Sequence, residues 1–299
     1  MSVYFTSNGG NMFESFSRSW QLVKYSWAFL RRNKAFMWFP IFSGLATLAA
    51  SIVLLLPAGI VMGLFAMMSG GRNDDTGTSI FGYILLFAYY MVVYTISIYF
   101  NVALAGAVMK ELDTGDATVQ DGMAIARGKM SLILQYAAIS STVGIVMNAI
   151  RERGGFIGSI VASLGGMAWN LLTFFVIPLL VIEDKGIVDL IKDSGSLLKR
   201  TFGEQVAGGF GVGAVMFLAM MVVMVAGIAL IALFSSSGLL VGLVIALMIA
   251  GFIAIGLIGG TLTSIYRVLV FRYAQAGTIP SDMDVALLQG AFKEKKKRG

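Results

Sequence analysis

The chain has 299 residues, of which 58% are hydrophobic and 13% charged, with a mean hydropathy of +0.84 and a formal net charge of +6. Soluble domains carry about 45–50% apolar and about 25% charged residues, so this balance argues against a water-soluble globular protein. There is no Cys and no His, which removes thiolate and imidazole nucleophiles, disulfides, His general bases, and zinc or haem ligation through those side chains.

Phe13, Phe16, Trp20, Val23, Trp27 and Leu30 open the chain at three- and four-residue spacing, with Glu14, Arg18, Lys24 and Arg31 between them. That pattern predicts an amphipathic helix. Six apolar spans follow, roughly 37–68, 80–109, 131–149, 156–182, 206–234 and 239–271, none with Asp, Glu, Lys or Arg in its central portion. Each is long enough to cross a hydrocarbon core about 30 Å thick as a helix. About 35 polar or amphipathic residues precede the first span, unlike a secretory signal peptide, so that span is expected to stay as an anchor. As one straight helix it would reach about 50 Å, so Pro57 is expected to divide it into a crossing from Phe36 to Leu56 and a kinked extension or short outer helix from Pro57 to Met68. "GGRNDDTGTS", residues 70–79, has the composition of a flexible turn.

The second span carries Tyr89, Tyr90, Tyr94, Ser97, Tyr99 and Asn101. Tyr90, Tyr94, Ser97 and Asn101 share a helical face, which either lines a polar path or hydrogen-bonds neighbouring helices. Between spans two and three come Glu111, Asp113, Asp116 and Asp121. Four carboxylates could hold a hard cation, but the spacing fits no EF-hand, and "DTGDAT" reads better as a helix end, a turn and a new cap. Thr118 with Asp121 three residues later is a capping-box pattern. A weak apolar stripe follows it: Val119, Met123, Ala126 and Met130. In span four, Pro178 is expected to introduce a bend. Before span five the stripe returns as Ile187, Leu190, Ile191, Ser194, Leu197, Leu198 and Phe202. Small residues four apart, at Gly59/Gly63, Gly209/Gly213, Gly238/Gly242 and Gly256/Gly260, allow close helix approach within the chain or between copies.

Of the 22 Lys and Arg, only Arg72, Arg151 and Arg153 fall on one side of the spans. The other 19 gather on the opposite side, which the tendency of basic residues to stay cytoplasmic assigns as the inside, together with both termini. "SWQLVKYSW" at Ser19–Trp27 and "SGSLLKRTF" at Ser194–Phe202 are related phrases, each heading a pair of spans. They suggest three tandem units within one membrane domain, 11–110, 116–183 and 186–272, each an interfacial helix followed by a two-span hairpin. Chance matching of so short a motif is the alternative. Phe13, Phe16, Trp20, Trp27, Ile187, Leu190, Leu197 and Phe202 are then the expected lipid-boundary residues. Gly195, standing where the first copy has Trp20, is expected to anchor its helix less firmly. The predicted fold is all-α: a six-span polytopic bundle with amphipathic helices before spans one, three and five.

"FSRSWQLVKYSWAFLRRNKAFMWFPIFSGLA", "ALAGAVMKELDTGDATVQDGMAIARGK" and "VIEDKGIVDLIKDSGSLLKRTFGE" resemble an uncharacterised family of prokaryotic six-span integral membrane proteins. The resemblance covers most of the chain, brings no catalytic motif, and implies a multi-span fold and a prokaryotic origin.

Chemistry is sparse. No G-x-S-x-G, P-loop or H-E-x-x-H pattern occurs, and no ionisable residue lies at mid-span depth, where buried charge usually marks function. No catalytic residue, cofactor or metal ligand is therefore assigned. The tail 273–299 ends in the basic residues Lys293, Lys295, Lys296, Lys297 and Arg298, suited to anionic lipid; without an aromatic platform it is not a nucleic-acid site. The expected role is a non-enzymatic, multi-pass component of the cell membrane that organises or assembles with a membrane-protein partner or further copies of itself. The alternative is a channel or transporter for an uncharged or lipid-like substrate, using the face of Tyr90, Tyr94, Ser97 and Asn101.

Overall fold

In hydrocarbon an unpaired backbone N–H or C=O costs several kcal/mol, so long uncharged runs satisfy these groups internally as helix. The computed structural model describes residues 24, 26–68, 76–202 and 211–276, and among the described residues the regular structure is helical, without strands. Residues 26–32 are helical, and the 3-10 turn Lys34–Met37 leads into α1 (Trp38–Met68). There follow α2 (Thr76–Thr114), α3 (Val119–Gly128), α4 (Met130–Arg153), α5 (Gly155–Leu172) and α6 (Val176–Ile182). α7 (Ile187–Phe202), α8 (Gly211–Leu233) and α9 (Gly238–Ala276) complete the order. Among the described residues, six stretches are long and apolar enough to cross a membrane: Lys34–Val61, Ile84–Thr114, Met130–Arg153, Gly155–Ile182, Val215–Leu233 and Gly238–Arg272. The protein is an all-α, multi-pass membrane protein.

Two prolines behave differently from one another. α1 is helical without interruption through Pro57 to Met68, so no separate outer helix follows Pro57. The missing N–H leaves only the Val53 carbonyl short of its helical partner, and an apolar run in hydrocarbon has no alternative to remaining helical. Span four does break, at residues 173–175, where α5 gives way to α6. Pro178 then falls in the first turn of α6, the part of a helix whose N–H groups lack intrahelical partners in any case.

By its contacts the chain forms two compact units: Trp38–Arg200, and the chain up to Met37 together with Thr201 onward. In the Trp38–Arg200 unit burial is concentrated at one end of the helices. Val102, Ala103, Ala105, Ala107 and Val108 on α2 are buried, as are Phe39, Ile133, Phe175, Val176 and Leu180. Toward the other end, Leu48, Val53, Leu56 and Ile60 on α1 and Phe156, Ile157 and Leu164 on α5 are exposed.

In the other unit, α8 and α9 pair side by side. Met248 occupies the space beside Gly227, and Met216 the space beside Gly259. Leu262, Ile265, Val268 and Phe271 near the end of α9 are buried, whereas Leu218, Val222, Leu239 and Leu247 are exposed. Among the described residues, most of the small-residue pairs that allow close helix approach face open space. A β-carbon on Gly59, Gly63, Gly213, Gly238, Gly242, Gly256 or Gly260 would meet nothing within 4 Å, and Gly209 lies outside the described residues.

Candidate functional site

In the Trp38–Arg200 unit α2 packs against α3 and α6, and around these helices and α7 the chain makes two tight corners and a latch. The first corner follows the local chemistry of its sequence. α2 ends at Thr114, Gly115 turns the chain at φ +74°, and Thr118 caps α3. Asp121 N–H donates to Thr118 Oγ1 at 3.2 Å, and Thr118 N–H donates to Asp121 Oδ2 at 2.9 Å, completing the capping box. Lys110 Nζ lies 3.0 Å from Asp121 Oδ1. The hydrogen bonds from Thr118, with the Lys110 ammonium beside them, pull the Asp121 carboxyl down from 3.8 to about 2.

α3 then lies against α2 so closely that a β-carbon on Gly122 would stand 2.3 Å from the Ala103 carbonyl oxygen and 2.7 Å from Phe39 Cζ. Only glycine fits there. Ile125 packs over Gly106 in the same contact, and Tyr99 Oη donates to the Met123 carbonyl at 3.3 Å. The four carboxylates weighed above as cation ligands are otherwise engaged: Glu111 Oε2 accepts from Ala117 N–H at 2.9 Å, Asp116 accepts from the Thr114 hydroxyl, and Asp121 holds the cap. Asp113 also has a partner.

The second corner is the hairpin of α6 and α7. Where span four breaks, Phe175 N–H would be an orphan donor in a buried setting; Ser194 Oγ on α7 accepts it at 2.9 Å. One residue on, a β-carbon on Gly195 would sit 2.6 Å from Leu172 Cδ1, so α7 presses directly on the end of α5. Gly195 is thus a fitting residue at a close contact, not a weakened lipid anchor. Ile187, Leu190, Ser194 and Leu197, the core of the expected lipid-facing stripe, are buried within the protein. The amphipathic pattern of α7 is real, but its apolar face serves the protein interior, because a broken span leaves both apolar surface and a backbone donor to be covered there.

The latch joins the corners. Lys129, the residue between α3 and α4, donates to the carbonyl of Glu183 at 3.1 Å and to the Asp184 carboxylate. Its ammonium therefore meets the C-terminal end of α6, where the helix dipole favours a cation. Beyond it Lys185 bridges Asp193 at 2.8 Å and Glu183 at 2.9 Å, hydrogen bonds that hold its ammonium above the ordinary lysine range.

The remaining sequence-derived sites fall as follows. Asn101 Nδ2 donates to the Ser97 carbonyl at 2.8 Å, within its own helix. Tyr94 Oη lies over Gly144 of α4, where a β-carbon would come within 3.1 Å of it, and the Tyr90 and Tyr94 rings are 6.2 Å apart. Tyr89 Oη pairs with Ser51 Oγ on α1 at 3.2 Å. Asn101 thus bonds to its own helix, while Tyr89 and Tyr94 reach α1 and α4. Leu30 is buried, whereas Trp27 is exposed, with the Arg31 guanidinium 5.4 Å from its ring centre. Phe202 closes α7; Phe13, Phe16, Trp20, Lys293, Lys295, Lys296, Lys297 and Arg298 lie outside the described residues. Sequence reasoning missed Ser194, Gly122 and Lys129 as joint-forming residues. Ser194 was visible only as a polar interruption of an apolar stripe, and the other two carried no long-range signal.

No curated protein and no solved structure matches the chain. Residues 80–280 match the family of unknown function DUF6159, and they include both corners and the latch. The chain belongs to that family.

Proposed function

We propose that this protein is a non-enzymatic component of a prokaryotic cell membrane, with both termini cytoplasmic, which organises or assembles with other membrane proteins in the bilayer plane. The observation that carries the reading is the inequality of its surfaces. The most apolar stretches of Lys34–Val61, Val215–Leu233 and Gly238–Arg272 are 0%, 6% and 6% buried, so in these three spans much apolar surface is left for lipid or for partners. The open glycine pairs on α1 and α9 add places where another helix can approach closely. The transport reading is less favoured, because Asn101 Nδ2 bonds within its own helix and Tyr94 Oη lies against Gly144 of α4.

Native mass spectrometry of gently solubilised protein from its own membrane tests the choice. A stoichiometric protein partner or a defined oligomer is the expected result. A partnerless chain that retains one small molecule in every preparation would overturn it in favour of transport, and Tyr94→Phe with Asn101→Leu would then be the first variants to assay for flux.

A further inference from the structure

We infer that Lys24, Trp27, Arg31, Arg32 and Lys34 form a binding surface for anionic phospholipid headgroups, separate from the basic tail. Lys24, Trp27, Arg31 and Lys34 recur at three- and four-residue spacing, and the side chains of all four are exposed, as is that of Arg32. The opposite side is fixed to the protein, with Ser26, Phe29 and Leu30 buried and Phe36 buried just beyond. Asn33 N–H donates to the Phe29 carbonyl at 3.1 Å and Phe36 N–H to the Asn33 carbonyl at 3.0 Å, which fixes the chain where the basic residues project. The Arg31 guanidinium stands over the Trp27 ring, 5.4 Å from its centre. That placement orders a planar, always charged donor group and leaves its edge free for the paired hydrogen bonds that phosphate oxygens accept.

Position in the chain selects the occupant. The candidate span begins at Lys34 itself, so Arg31, Arg32 and Lys34 stand at the depth where span meets headgroup, and Trp27 is an amphipathic ring suited to that layer. Three cations within four residues there complement phosphodiester anions held at the membrane surface. Neutral zwitterionic lipid offers the same phosphate without net charge, and discrimination follows from that difference.

The test uses the full chain in mixed micelles holding equal amounts of phosphatidylglycerol and phosphatidylcholine, with retained lipids counted by native mass spectrometry. Retention of phosphatidylglycerol over phosphatidylcholine by about fivefold is expected, the factor that one basic residue at an anionic surface supplies. R31Q/R32Q/K34Q should lower the ratio by more than half, R31K/R32K should keep most of it, and neutralising Lys293, Lys295, Lys296, Lys297 and Arg298 together should leave a clear preference. An unchanged ratio in R31Q/R32Q/K34Q, a preference lost with the tail alone, or displacement by millimolar inorganic phosphate would each overturn the proposal. A second measurement does not depend on those variants folding. In a chain with Trp20→Phe, Trp38→Phe and Trp169→Phe, brominated phosphatidylglycerol should quench Trp27 more than brominated phosphatidylcholine does; equal quenching would overturn it. A protein partner could be found or missed without changing either lipid result, so this inference and the assembly role stand or fall separately.

Discussion

Ser194 and Gly122 show how single atoms decide the packing of the buried junction. Replacing Ser194 with Ala removes the acceptor for Phe175 N–H and leaves a buried donor unpaired, which costs about 1–3 kcal/mol. Thermal or denaturant unfolding in detergent should register that loss. Gly122→Ala drives a β-carbon into the Ala103 carbonyl and should destabilise by about 1–3 kcal/mol through overpacking, while Gly63→Ala, facing open space, should leave the midpoint within error. Gly195→Trp, which restores the likeness to Ser19–Trp20, should destabilise the protein, because Leu172 occupies the room a side chain would need. If Gly195→Trp is neutral or stabilising, the packing described for α7 is wrong.

Among the elements, α3 was the most legible in sequence. Its cap depends on residues three apart, and Thr118 and Asp121 form the bonds their spacing predicts. α7 was legible as an amphipathic helix but not in what it faces, since periodicity reports that one side is apolar and is silent on whether lipid or protein covers it. The break in span four was legible only as Pro178, because the opening at 173–175 depends on Ser194 being available to accept the freed donor. The spans themselves were read correctly from length and charge, whereas the contacts between them were not, because glycine spacing recurs on faces that pack and faces that stay open.

The acid response of α3 follows from its cap. The Asp121 carboxyl is held at about 2 in the fold against 3.8 ordinarily, so the folded state prefers the ionised form. Its contribution is complete above the ordinary value and is lost as pH falls through about 2. Amide exchange at the first turn of α3 should therefore accelerate, relative to its intrinsic rate, as pH is lowered from about 4 toward 2, and Asp121→Asn should abolish that dependence.

At the scale of the molecule, apolar surface is exposed along the middle of α1, α5 and α8 and buried near the end of α2 and in α6. Val53 on α1 is 68% exposed, and Val53→Arg should disfavour membrane insertion of that span by about 2.5–3.5 kcal/mol. Glycosylation mapping of insertion in microsomes checks it; full insertion of the variant would mean that Val53 does not face lipid.

The joints of the Trp38–Arg200 unit also impose a timetable. Ser194 comes 19 residues after Phe175, and Asp184 comes 55 after Lys129. At about 5–20 residues per second of synthesis, Phe175 N–H waits about 1–4 s for its acceptor, and Lys129 about 3–11 s for its carboxylate. The cap of α3, with its partners three residues apart, closes almost as it is made. A nascent chain halted between Asp184 and Ser194 should accordingly carry a finished first corner and a second one still open, which arrested chains probed by pulsed proteolysis would reveal.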